Sequence, residues 1–179
     1  MNGFFMPSGH PAAAFGSPLA ITWITLLAWT TLAALLLMAM ATDLRSRRIP
    51  NRLVGAGVVS AVLQQLLLPT GPHPAMGPAF GTPGLWAGAM AAALMLLVAS
   101  LLWRVGLWGA GDAKWLTILA AHAGPAQVMP LLMFTLMAGG LLAVAWKLAR
   151  RPNPMPYALA ISGGEVALVM AARAGPASG

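Results

Sequence analysis

The sequence predicts an all-α, polytopic membrane protein, a single bundle of about six transmembrane helices, and three observations predict it. Hydrophobic residues fill 59% of the 179 positions and charged residues only 7%. A soluble domain carries roughly 25% charged residues, so this composition cannot assemble a water-facing surface. Apolar runs suited to a hydrocarbon layer of roughly 30 Å recur along the chain. The ten Lys and Arg fall in short clusters between those runs, the positive-inside pattern that reports orientation. The net charge of +7 and pI near 11.8 therefore describe a topology rather than a nucleic-acid footprint.

Residues 1–17 are rich in Gly, Pro, Ala and Phe and contain no Lys or Arg. Without a basic n-region they do not read as a signal peptide; they are expected to form a mobile tail. Residues 18–173 are expected to form one domain, with 174–179 as a second tail. Within the domain, Pro18 to Ala41 is a first apolar run, ending at Thr42-Asp43. The loop that follows holds Arg45, Arg47, Arg48 and Arg52, which places it in the cytoplasm. Pro50 disfavours helix at Ile49, and Asn51 is placed to cap the next helix. Leu53 to Leu68 is a second span, and the Pro/Gly-rich stretch from Pro69 to Pro83 is expected to be an outer loop.

Gly84 to Trp103 is the third span, with Gly84 and Gly88 at a spacing that admits close helix contact. Arg104 marks the return to the cytoplasm. A fourth span runs from about Ala113 to Ala123, with Leu107 as an alternative earlier start, and a fifth from about Val128 to Trp146, followed by Lys147, Arg150 and Arg151. Pro152 to Tyr157 reads as a rigid connector and Ala158 to Ala172 as a last short span. Trp103, Trp108, Trp146 and Trp86 fall near span ends, as an aromatic belt requires. No internal repeat points to an inverted-repeat transporter.

Only three residues are acidic: Asp43, Asp112 and Glu165. An ionisable group at or within a membrane is costly and is a functional hypothesis by default. Asp43 ends the first span and Asp112 opens the fourth, so the topology sets both at one depth on the cytoplasmic side. Two carboxylates facing each other in low dielectric share one proton. Such a pair supplies one acid and one base, able to activate water against an amide and to protonate the departing nitrogen. Gly109 and Gly111, just ahead of Asp112, would let an extended substrate backbone come close.

Structural alternatives stand beside that reading. Asp43 has Arg47 four residues on, an ordinary helical ion pair, and Asp112 suits a helix N-terminus through the dipole. Lys114 either snorkels to the headgroups or holds a substrate carbonyl, the anchor being favoured. Glu165 is either hydrogen-bonded within the bundle or part of a polar path. His10, His73 and His122 map to the outer side and do not converge, so no metal site is expected. Cysteine is absent, which removes thiolate nucleophiles and disulfides.

Asp43 followed by Arg47-Arg48-Ile49-Pro50-Asn51, the Gly109-Ala110-Gly111-Asp112-Ala113-Lys114 stretch, and Pro156-Tyr157 opening the last span together resemble the type IV prepilin peptidases. The resemblance implies a membrane-embedded aspartic endopeptidase of the inner membrane that cuts prepilin leaders at the cytoplasmic face. Asp43 and Asp112 would be its catalytic pair, and Gly109, Gly111, Lys114, Pro50 and Asn51 would shape the site or hold substrate. The small size resembles the Tad/Flp-pilus branch, and the lack of cysteine makes N-methyltransferase activity unexpected. The implied partners are prepilin or pseudopilin substrates and pilus-assembly or secretion machinery, with no cofactor. A proton-coupled transporter using the three acids, and a non-catalytic secretion-machine subunit, are the rival readings.

Overall fold

A computed structural model describes residues 18–68, 71–73, 77–150 and 155–174. Residues 1–17 and 175–179, Arg151 and the first half of the Pro152–Tyr157 connector (Pro152 to Pro154) lie outside the described residues, His10 among them, as do the side chains of His73 and Arg173. Six helices follow one another: α1 (Pro18–Ser46), α2 (Asn51–Leu67), α3 (Leu85–Arg104), α4 (Ala110–Ala123), α5 (Val128–Leu148) and α6 (Tyr157–Ala174). The helical membrane bundle read from the sequence is what the chain forms. Its polarity is that of a lipid-soluble protein. Large apolar side chains such as Trp86 (86% exposed) and Leu141 (73%) face outward, while Asp43, Gln64, Gln65, His122, Thr135, Ser162 and Glu165 are buried.

Among the described residues three helical stretches, Trp23–Ser46, Leu85–Arg104 and Pro125–Leu148, are long and apolar enough to cross a membrane. On α1 the buried positions Leu32, Leu35, Ala39 and Asp43 recur every three or four residues, one stripe turned toward the bundle. α4 behaves differently. Its 14 residues reach about 21 Å at 1.5 Å per residue, less than the hydrocarbon thickness, and Trp115, Leu116, Leu119 and Ala120 are wholly enclosed. Helices α2, α3, α5 and α6 all pack on it. It is the central post of the bundle rather than a lipid-facing span.

Close helix contacts and buried hydrogen bonds fix the arrangement. A Cβ on Gly88 would meet the Ala121 carbonyl oxygen at 2.9 Å, and one on Gly164 would meet the Thr135 backbone at 2.7 Å. Small residues at these points let the backbones approach. Gln65 Nε2 donates to the Ala121 carbonyl (2.9 Å), and its Oε1 accepts from the Gly84 N–H (2.9 Å), clasping α2 to α4 and to the start of α3. His122 is a core residue. Its Nδ1 lies 2.9 Å from the Ile118 carbonyl and its Nε2 3.4 Å from Ser60 Oγ.

Three expectations need correction. The stretch expected as a plain loop between α2 and α3 contains a small antiparallel hairpin, β1 (Gly71–His73) with β2 (Gly77–Thr82). Strand pairing satisfies backbone groups whatever the side chains, and in two strands each one is an edge, where proline is tolerated. Asn51 does not cap α2: Pro50 occupies the cap position and no side-chain cap bond forms. Trp108 is buried, not part of an exposed aromatic belt; it packs into the core beside α4.

Candidate active site

The site lies at the arginine-rich end of the bundle, where helix termini converge. α1 continues past the expected boundary to Ser46, so Asp43 sits in its last turn, on the buried stripe, and is only 6% exposed. Its Oδ2 accepts a hydrogen bond from the Ala158 N–H at 2.9 Å. Ala158 is the second residue of α6, and the first N–H groups of a helix have no partner within it. The helix start thus offers a donor and the positive end of its dipole to the carboxylate.

Asp112 is the third residue of α4 and lies ahead of the Ala113–Ala123 stretch read as a span. Its Oδ2 accepts the Gly109 N–H at 3.1 Å. This is the acidic half of a capping box; Gly109, with no side chain, cannot supply the other half. Burial pushes the Asp112 carboxyl up to about 6, with the Gly109 hydrogen bond opposing the shift and the Asp43 charge adding to it. The two aspartates, 69 residues apart by number (112 − 43), therefore lie within electrostatic reach of each other.

The neighbouring loop is held by contacts that sequence reasoning missed. Arg47 adopts a left-handed backbone (φ 55°) and places its guanidinium 5.5 Å from the centre of the Trp146 ring, on the last turns of α5. No ion pair joins Arg47 to Asp43 among the described residues, so the bland helical-pair reading of Asp43 does not hold. Lys114 Nζ donates to Asn51 Oδ1 across 3.4 Å, linking α4 to α2. A Cβ on Gly111 would touch Ile49 at an ordinary 3.6 Å, whereas one on Gly109 would sit 2.9 Å from Asp112 Oδ2. The two glycines are not equivalent: Gly109 makes room for the carboxylate itself.

Glu165 is elsewhere. It lies in α6, 3% exposed, and neither carboxylate oxygen has a hydrogen-bond partner among the described residues. Of the two readings left open for it, hydrogen bonding within the bundle finds no support among the described residues. The Ala158 donor was also invisible beforehand, because a backbone N–H carries no side-chain signature. The proline at 156 followed by an apolar run was the one available signal that a helix would start there.

The model of the type IV leader peptidase family matches residues 30–144, well over half of the chain, and spans both aspartates, the Ile49-Pro50-Asn51 loop and the Gly109–Lys114 stretch. The chain belongs to the type IV leader peptidase family. Membership implies a protease, and the long apolar helices a membrane protein. The match ends before Pro156-Tyr157, so that part of the resemblance rests on the sequence alone. None of the curated proteins and none of the solved structures compared with this leader peptidase family member matches it.

Proposed function

We propose that the protein is an aspartic prepilin peptidase of the bacterial inner membrane, with Asp43 and Asp112 as its catalytic pair. The observation that carries this reading is the mutual reach of two carboxyls on separate helices at the arginine-rich end, Asp43 buried and Asp112 half-buried. Asp112, whose proton affinity is raised, holds the shared proton and donates it toward the scissile carbonyl oxygen. Asp43, oriented by the Ala158 N–H, takes a proton from water as the water oxygen bonds to the carbonyl carbon. That proton then passes to the amide nitrogen as the carbon–nitrogen bond breaks, while Asp112 takes a proton back from a hydroxyl of the collapsing tetrahedral diol, so that the carbonyl re-forms and the pair is again singly protonated. Gly109 makes room for the Asp112 carboxylate, and Pro50, Asn51 and Lys114 brace the loop beside it.

The positive-inside clusters support a site on the cytoplasmic face, where a prepilin leader would arrive. Flp/Tad-like pilins are the proposed substrates and pilus-assembly machinery the proposed partner. The absence of cysteine from these residues argues against N-methylation by the same chain. The test uses protein in lipid with a membrane-inserted Flp-type prepilin, comparing wild type, Asp43→Asn and Asp112→Asn, with the cut located by mass spectrometry. Cleavage by wild type after a glycine, lost in both folded variants, is expected. Cleavage that persists in either variant refutes the aspartate pair.

A further inference from the structure

Asp43 stands almost at the end of α1, with only Leu44, Arg45 and Ser46 after it in the helix. Helix ends fray, because their last carbonyls have no partner within the helix. Here the Asp43 carbonyl has one: it accepts the Arg47 N–H at 2.9 Å. In making that bond Arg47 takes a left-handed backbone, φ 55°. Glycine usually fills such a cap, since a Cβ makes the conformation unfavourable. Something beyond the turn therefore holds the arginine there.

Its own side chain supplies the hold. The guanidinium lies 5.5 Å from the centre of the Trp146 ring, in the last turn of α5. Arg47 is half-buried, and its Nη1 is shut away from solvent with no hydrogen-bond partner among the described residues. A guanidinium taken out of water is drawn more strongly to an aromatic face than an exposed one. Asp43, one helical turn back, has its carboxylate on the Ala158 N–H instead. The ring, not an ion pair, fixes where Arg47 stands. Arg150 supplies the contrast. It is the other non-glycine residue with positive φ among those described, at 49°, and its N–H closes the end of α5 on the Lys147 carbonyl at 3.1 Å. Its side chain is exposed, and no ring holds it among the described residues.

We infer that Arg47, clamped on Trp146, is a positioning residue that acts through Asp43. The clamp keeps the last turn of α1 wound, and so holds the Asp43 carboxylate against the Ala158 N–H and toward Asp112. Asp43 is then gripped from two sides: α6 holds its carboxylate, and α5 holds the main chain just after it. The inference rests on the aspartic-peptidase reading, and it gives neither Arg47 nor Trp146 a contact with the reacting atoms.

The experiment measures kcat and KM on a membrane-inserted prepilin in proteoliposomes, with amide hydrogen exchange over residues 43–47 in the same preparations. Arg47→Gly keeps the left-handed turn without steric cost and removes the stack; Trp146→Leu removes the ring. Each is expected to lower kcat about tenfold with KM unchanged, given that a misplacement of about 1 Å costs about a hundredfold. Exchange over 43–47 should quicken about tenfold in both, as a turn that opens more often. The double variant should be no worse than either single, since both delete one contact. Arg47→Lys and Trp146→Phe keep a cation over a ring and should restore most of kcat. Arg150→Gly removes an equal charge from the end of α5 and should leave both readouts at wild type. Losses that multiply in the double variant, a raised KM with kcat intact, or an equal fall in Arg150→Gly overturn the inference. Wild-type exchange over 43–47 in Trp146→Leu overturns it without reference to activity. Failure of the wild type to cut the prepilin refutes the peptidase reading instead.

Discussion

Replacing Gly109 by alanine separates two explanations for the glycines before Asp112. A Cβ there would lie 2.9 Å from Asp112 Oδ2, about half an ångström inside ordinary van der Waals contact. The atom it meets is the free end of a side chain, so the fold yields cheaply: the carboxylate swings away and its 3.1 Å bond from the Gly109 N–H is lost or lengthened. Stability should fall by only about 1 kcal/mol, the cost of alanine at an N-cap. Catalysis should suffer more, because a displacement of about 1 Å at a reacting group can cost about a hundredfold. A tenfold to hundredfold fall in kcat is expected for Gly109→Ala. Gly111→Ala is the control. Its Cβ meets Ile49 at an ordinary distance, and alanine favours the helix by about 1 kcal/mol, so kcat should stay within about threefold. Cleavage of a membrane-inserted prepilin and thermal unfolding in the same detergent give both quantities. Equal losses for the two variants would refute this reasoning and favour glycines that simply admit the substrate backbone; wild-type kcat in Gly109→Ala would refute both.

Other outcomes follow from the same geometry. Since Asp112 carries its proton up to about pH 6, kcat/KM should decline above that pH as the pair becomes doubly charged. Gly109→Ala removes a bond that favours the ionised form, so its alkaline limb should move to higher pH; a limb that stays put would assign it to another group. Gly164→Ala drives a Cβ into the Thr135 backbone at 2.7 Å, whereas at Gly163 the nearest contact is Ala138 at 3.7 Å. The first should destabilise by about 1–3 kcal/mol and the second by less than 1 kcal/mol, read as midpoints of unfolding in detergent. Gln65→Leu leaves the Ala121 carbonyl and Gly84 N–H without their partner and should destabilise by about 1–3 kcal/mol without shifting the pH profile.

What was legible in the sequence was what hydropathy and charge record. The runs beginning at Pro18, Gly84 and Val128 announced their helices because lipid-facing residues must be apolar over a fixed length. Asp43 and Asp112 stood out because an acid at the edge of such a run needs a reason. Packing was not legible. Nothing in Ala113 to Ala123 marks α4 as the post on which α2, α3, α5 and α6 lean, since an enclosed helix and a lipid-facing one are equally apolar. Asn51 read as a cap because local rules favour it; its bond to Lys114 on another helix overrode them. The stacking of Arg47 on Trp146 joins positions 99 residues apart by number (146 − 47), a pairing no local pattern encodes.

The convergence of helix ends explains why the candidate chemistry sits where it does. Within hydrocarbon every backbone group must be satisfied inside its own helix, so the middle of a bundle has no free N–H to aim at a carboxylate. Helix starts do. Gly109 at the start of α4 and Ala158 at the start of α6 each present one such donor, and each finds one aspartate. The shortness of α4 contributes to this. A helix of about 21 Å enclosed by its neighbours ends before the bundle does, which leaves the turn from Gly106 to Gly109 irregular, with Gly106 at φ 79°, and brings its N-terminus level with the Arg45–Arg52 loop. Lengthening α4 by a turn would carry Asp112 away from Asp43.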